Sequence, residues 1–221
     1  MSQLTSAMTH RVCTAAPPPP ESSFIHAFVQ LLIVLFGLRP GIIPVSSHQP
    51  KSFLSLGSFI FSEISVGCDG LLNWYADRDK VTIPDMEEAF KKHLKWNKHL
   101  PDPYFVTASP KVRKMFEGCS VMGVTISASG FYGPQGRVVR QPLAMPDMIA
   151  DIESFRFGDY RITNFEMEGS ALAGLATQLG HDAGTICCAI ANRYLKDANT
   201  DYKKMVRNLI ELSLDRITQD R

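Results

Sequence analysis

Charge is scarce at the start of this chain: among residues 1–57 only Arg11, Glu21, Arg39 and Lys51 are charged, although the 221 residues hold 23 basic and 22 acidic side chains. A leader and a charged remainder were therefore shaped by different surface requirements. Cysteine is sparse and odd in number, five in all and without C-x-x-C spacing. That suggests neither a disulfide framework nor a zinc site, and points to a reducing, cytoplasmic setting. The six histidines show no ligand spacing, so no metal is expected. A net charge of +1 without a clustered basic face gives nucleic acid little to bind. No apolar run reaches the roughly twenty residues that span a bilayer.

The leader contains four consecutive prolines, Pro17, Pro18, Pro19 and Pro20, which favour extended polyproline backbone. An apolar stretch at 24–38 follows, interrupted by His26 and Gln30, and breaks up at Arg39-Pro40-Gly41. Three readings stay open for it: nonnative sequence translated ahead of a genuine domain, a membrane or export signal, or a packed helix. Against a signal stand the weak positive charge before the stretch and the lack of a small-x-small site after it. The expected boundary falls at 57/58, with an unrelated, disordered or nonnative leader before it. The remaining residues, about 160, are enough to bury a core.

That remainder reads as α/β. Residues 59–66 and 120–127 are predicted strands, and the apolar run at 185–191 has the composition of a buried parallel strand. Cys187 and Cys188 within it are read as core residues. Pro84 and Asp85 open a helix with Met86, Phe90 and Leu94 on one stripe and Glu87–Lys91 and Glu88–Lys92 as exposed pairs. A last helix at 201–217 turns Met205, Leu209 and Leu212 inward. No internal repeat is evident.

Two segments carry chemistry. In F-Y-G-P-Q-G-R, at 131–137, three of the seven residues are glycine or proline, which makes a turn-rich loop. Phe131 or Tyr132 can offer a ring face for stacking. Gln135 carries a donor and an acceptor side by side, matching a pyrimidine edge, and Arg137 adds a fixed cationic fork suited to a departing base. The plain alternative is a glycine-rich surface loop with an incidental Gln and Arg. In N-F-E-M-E-G, at 164–169, a buried strand at 162–165 gives way to a helix at 168–179 with Leu172, Leu175, Ala176 and Leu179 at helical spacing. Glu166, Met167 and Glu168 thus sit where open α/β sheets bind ligands. A carboxylate there can accept from two vicinal hydroxyls, while Met167 packs on a sugar's apolar face. The plain alternative for Glu168 is a first-turn acid favoured by the helix dipole.

These two motifs, with A-I-A-N-R at 189–193 after a buried strand, resemble the uridine phosphorylases of the type-I nucleoside phosphorylase family, in the family's order and spacing from about Ser58 to the C-terminus. The resemblance implies that Phe131 stacks on uracil, that Gln135 and Arg137 bind its edge and serve catalysis, and that Met167 and Glu168 hold ribose with Glu166 a neighbouring candidate. It implies phosphorolysis of uridine to uracil and ribose 1-phosphate, with inorganic phosphate as co-substrate, no cofactor or metal, and a homo-oligomer. Ala191-Asn192-Arg193 stands where purine-specific relatives carry an Asp, which favours a pyrimidine.

The family's phosphate-binding residues, a Gly-Asp-Pro loop with its Arg and a Gly-Thr-rich loop, have no counterpart before Ser58. The expectation is a partial nucleoside phosphorylase-type three-layer α/β domain lacking its N-terminal half, with an exposed strand edge and apolar face. The functional alternative is a noncatalytic remnant that binds nucleoside weakly.

Overall fold

The computed structural model describes residues 27–34, 36–37, 42–43, 52–53, 55–192, 197–198 and 202–219. Five α-helices lie among them: α1 (Pro84–His93), α2 (Pro110–Phe116), α3 (Met148–Ser154), α4 (Gly169–Gln178) and α5 (Tyr202–Gln219). The long strands are β1 (Ala27–Val34), β5 (Phe59–Gly67), β7 (Val121–Ser127), β8 (Ile162–Glu166) and β9 (Asp182–Ala189). Shorter ones are β2 (Phe36–Gly37), β3 (Ile42–Ile43), β4 (Ser52–Phe53), β6 (Tyr104–Thr107), β10 (Ala191–Asn192) and β11 (Asp197–Ala198).

Among the described residues one sheet takes the order β1-β9-β5-β7-β8-β2-β10-β11, with β6 also paired to β5. Its heart is parallel: β5 pairs β7 and β7 pairs β8, each by crossovers that carry helices. β9 runs antiparallel to β5 over Phe59–Phe61 and β6 antiparallel over Ile64–Gly67, so the two divide one edge of β5. The β5–β7 register slips between Ser62 and Ile64, which leaves Glu63 as a bulge. Its carboxylate accepts from Arg113 Nε at 2.9 Å.

The apolar pattern fills three clusters. Phe61 stacks on Phe116 at 5.6 Å, in a cluster shared by β5, β9, α2 and Leu209 of α5. Phe90 of α1 meets Phe105 and Phe155 edge-on at 5.3 and 5.1 Å, which joins α1 and the end of α3 to the sheet. A third cluster sets Leu72, Tyr104 and Val106 against Ala173 of α4.

Cys187 and Cys188 are buried in β9, and burial raises both thiols above their ordinary value. Met86, Phe90 and Leu94 form the buried stripe that their spacing predicts. The charge pairing on α1 differs from expectation. Glu87 is buried, and Nη2 of Arg78 lies 2.9 Å from each of its oxygens, while Lys91 turns to Glu88 at 3.3 Å and Asp102 at 3.7 Å. A partly desolvated cation from outside the helix outcompetes an exposed i,i+4 partner. On α4 the buried side chains are Ser170, Ala173 and Ala176, whereas Leu179 is exposed. Small residues face inward there because the helix lies so close that a Cβ at Gly174 would come within 2.8 Å of Leu72.

Residues 27–34 and 36–37 of the leader's apolar stretch enter the sheet as strands, not as a helix. All eight residues of β1 pair in parallel with β9, and Phe36 and Gly37 of β2 pair with Phe165 and Asn164. The physical reason is the ladder that β9 offers along its full length. The proline run at 17–20 lies outside the described residues.

Candidate active site

The two chemical motifs leave neighbouring parallel strands at the same level. Ser127, the last residue of β7, stands in register with Glu166, the last residue of β8. The loop at 131–137 therefore begins beside the turn at 166–169, although some thirty residues separate them in sequence. This is the carboxyl end of the parallel strands, where open α/β sheets place ligands.

The loop is built on a short 3-10 turn, Gly133–Gln135, closed by Gly136 at φ 72°. A side chain at Gly136 would be strained, and its Cβ would also come within 2.5 Å of Ile149. The N–H groups of Gln135 and Arg137 both donate to the Tyr132 carbonyl at 3.0 Å. The tight turn brings Phe131, Gln135 and Arg137 together. Arg137 Nη1 donates to the Phe131 carbonyl and, at 3.0 Å, to Gln135 Oε1, while its guanidinium carbon sits 3.8 Å above the Phe131 ring. Phe131 thus presents its face to its own arginine here, and Tyr132 meets it edge-on at 5.4 Å. Gln135 is buried, Phe131 and Arg137 are half-buried, and burial lowers the guanidinium below its ordinary value. An arginine nonetheless keeps its charge.

The three residues of the second motif separate by role. Glu166 is 3% exposed and accepts 2.7 Å hydrogen bonds from the N–H groups of Glu168 and Gly169 on Oε2, and one from Ser127 Oγ on Oε1. Burial pushes its carboxyl above the ordinary 4.5, while the three donors oppose that shift. Glu168 occupies the N-cap position of α4 without a side-chain capping bond, and it is exposed. Glu166 supplies the cap instead. Met167 lies half-buried between them.

Four further residues surround this turn without belonging to either motif. Ser170 N–H donates to Ser127 Oγ at 2.8 Å. Ser170 Oγ reaches Asp69 Oδ2 at 3.3 Å, and Tyr104 OH donates to Asp69 Oδ1 at 2.8 Å. Burial is the largest cause of a raised Tyr104 hydroxyl, with Asp69 adding to it. Asp69 is the one member with a sequence signal, an acid before glycine just after the predicted strand at 59–66.

An apolar cavity of about 260 Å³ backs the loop, with Ile126, Gly133, Pro134, Met145 and Phe165 in its wall; none of the six candidate residues lines it. The side chain of Asn192 and all of Arg193 lie outside the described residues. Among the described residues no three His, Cys, Asp or Glu side chains are placed to hold a metal, and no helix is long and apolar enough to cross a membrane.

Residues 56–218 match the family model of the phosphorylase superfamily. Among solved structures, a Trypanosoma brucei nucleoside phosphorylase described as showing uridine phosphorylase activity is 22% identical, with a TM-score of 0.68 over 87% of this chain and 63% of that one. Uridine phosphorylase from Schistosoma mansoni in its apo form is 20% identical, with a TM-score of 0.53 over 88% of this chain and 61% of that one. At those identities the likeness shows a shared α/β fold, and the chain spans less than two thirds of either relative. No curated protein sequence matches.

Proposed function

Because the chain belongs to the phosphorylase superfamily, we propose that it carries the base and ribose recognition elements of a uridine phosphorylase. The reading rests on one observation: the F-Y-G-P-Q-G-R loop and the E-M-E turn leave adjacent parallel strands at the registered pair Ser127 and Glu166. Uracil takes the place of the Arg137 guanidinium over Phe131, and Gln135 and Arg137 bind its edge. Glu168, exposed at the helix start, accepts from the ribose hydroxyls beside Met167. Glu166 holds the turn rather than the sugar, since it is buried and accepts from Ser127 and two backbone N–H groups.

In the reaction, phosphate oxygen bonds to C1′ as the C1′–N1 bond breaks, and the electron pair departs with uracil. Arg137 and Gln135 stabilise that anion more than they stabilise bound uridine, which is how they accelerate the step. Glu168 contributes by orientation. A second reading, nucleoside binding without turnover, draws support from the lack of a Gly-Asp-Pro or Gly-Thr-rich loop before Ser58.

Calorimetry with uridine and with free uracil tests the site. Glu168→Gln should weaken uridine while leaving uracil unchanged; equal losses would make Glu168 structural. Uracil release from uridine in millimolar phosphate separates the two readings. Losing two or three charged phosphate contacts forfeits roughly 3–9 kcal/mol, so the 221-residue chain should turn over far below about 10 per second. Turnover near that value would mean that phosphate is bound by other residues.

A further inference from the structure

We propose that Asp69, Tyr104 and Ser127 are positioning residues for the ribose turn, a role that rests on reading Met167 and Glu168 as sugar-facing. Side chains from five separate stretches of fold converge under this turn: Asp69 after β5, Tyr104 at the start of β6, Ser127 at the end of β7, Glu166 at the end of β8 and Ser170 in α4. Tyr104, Ser127 and Ser170 are fully buried and Glu166 nearly so. Tyr104 fits only because β5 ends in glycine, since a Cβ at Gly67 would lie 2.0 Å from its ring.

The connections run in one chain. Asp69 is fixed by the Leu71 N–H at 2.8 Å and accepts from Tyr104 OH at 2.8 Å. The hydroxyls of Tyr104 and Ser170 lie 3.1 Å apart, and Ser170 Oγ also reaches Asp69 at 3.3 Å. Ser127 Oγ accepts the Ser170 N–H and donates to Glu166, whose other oxygen holds the N–H groups of Glu168 and Gly169. Both ends of the Met167–Glu168 segment are thereby tied to buried groups, while the Glu168 side chain remains exposed. An exposed carboxylate gains orienting power when its backbone cannot rotate, because the ordering cost is met before the sugar binds.

The test uses the full chain with Tyr104→Phe, which keeps the ring, and Asp69→Asn, which keeps the shape. Amide hydrogen exchange at Glu168, Gly169 and Ser170 should quicken by about tenfold, the loss of one charged hydrogen bond at its lower bound, while the amides of Phe90 and Leu94 in α1 hold their protection. Uridine affinity should fall by a similar factor and uracil affinity should not change. Unchanged exchange at the turn in both variants overturns the proposal. So does a rise in exchange throughout the protein with equal losses for both ligands, which marks a role in stability alone. A wild-type chain that binds neither ligand refutes the nucleoside site itself, and the exchange of the three turn amides then decides the positioning role by itself.

Discussion

At the scale of single residues, two carboxylates two positions apart have opposite fates. Glu166 is consumed by its own backbone and Ser127, while Glu168 projects outward. The raised carboxyl of Glu166 has a thermodynamic consequence. Because its folded value lies above the ordinary 4.5, the native state binds the more protons between the two values, so its contribution is fully present below the lower one and is lost as pH rises through the higher. Glu166→Gln should remove that component of the fall in Tm above about pH 4.5, read by thermal melts across pH 4–8; identical slopes in both proteins would contradict it. Arg137→Ala should weaken uridine by more than about tenfold, since charged hydrogen bonds contribute roughly 1.5–3 kcal/mol, and unchanged affinity would remove Arg137 from the site.

Among the elements, α1 shows how tertiary partners overrule helix-surface rules. Its apolar stripe followed from spacing, yet Glu87 left the expected pair with Lys91 for Arg78. Glu87→Ala strands a partly buried guanidinium and should cost about 1–3 kcal/mol, whereas Glu88→Ala should stay within about 0.5 kcal/mol. Urea unfolding of the two variants measures the difference, and equal costs would show that the Arg78 contact contributes nothing. Of Leu172, Leu175, Ala176 and Leu179 on α4, which stand at helical spacing, only Ala176 is fully buried, and the other buried residues are Gly169, Ser170, Ala173 and Gly174. Close approach selected small residues, and hydrophobicity alone does not report the distance to the neighbouring layer.

For the whole molecule, the leader's contribution turns on an edge. β1 covers β9 along all eight residues, and an uncovered strand of that length invites association. Deleting residues 1–54 should lower Tm and produce concentration-dependent aggregation in light scattering; a chain that melts and scatters like the full one would show that the pairing adds no stability.

The sequence by itself located the strands at 59–66, 120–127 and 162–165, the helices opening at Pro84 and near Glu168, and the two chemical loops at the strand ends. These are local signals, carried by apolar period and by glycine and proline, which act within a few residues. Short β6, of four residues, and seven-residue α2 and α3 gave too little period to read. Only the tertiary structure decided that Ser127 faces Glu166, that Arg137 covers Phe131, that Tyr104 and Asp69 stand beneath α4, and that residues 27–34 and 36–37 of the leader join the sheet as strands. Each except the Arg137 contact joins residues tens of positions apart, and that one depends on how a tight loop closes. Such choices depend on which partner stands across a sheet or above a ring, and a ladder that pairs Ala27 with Asp182 leaves no mark in the composition of either strand.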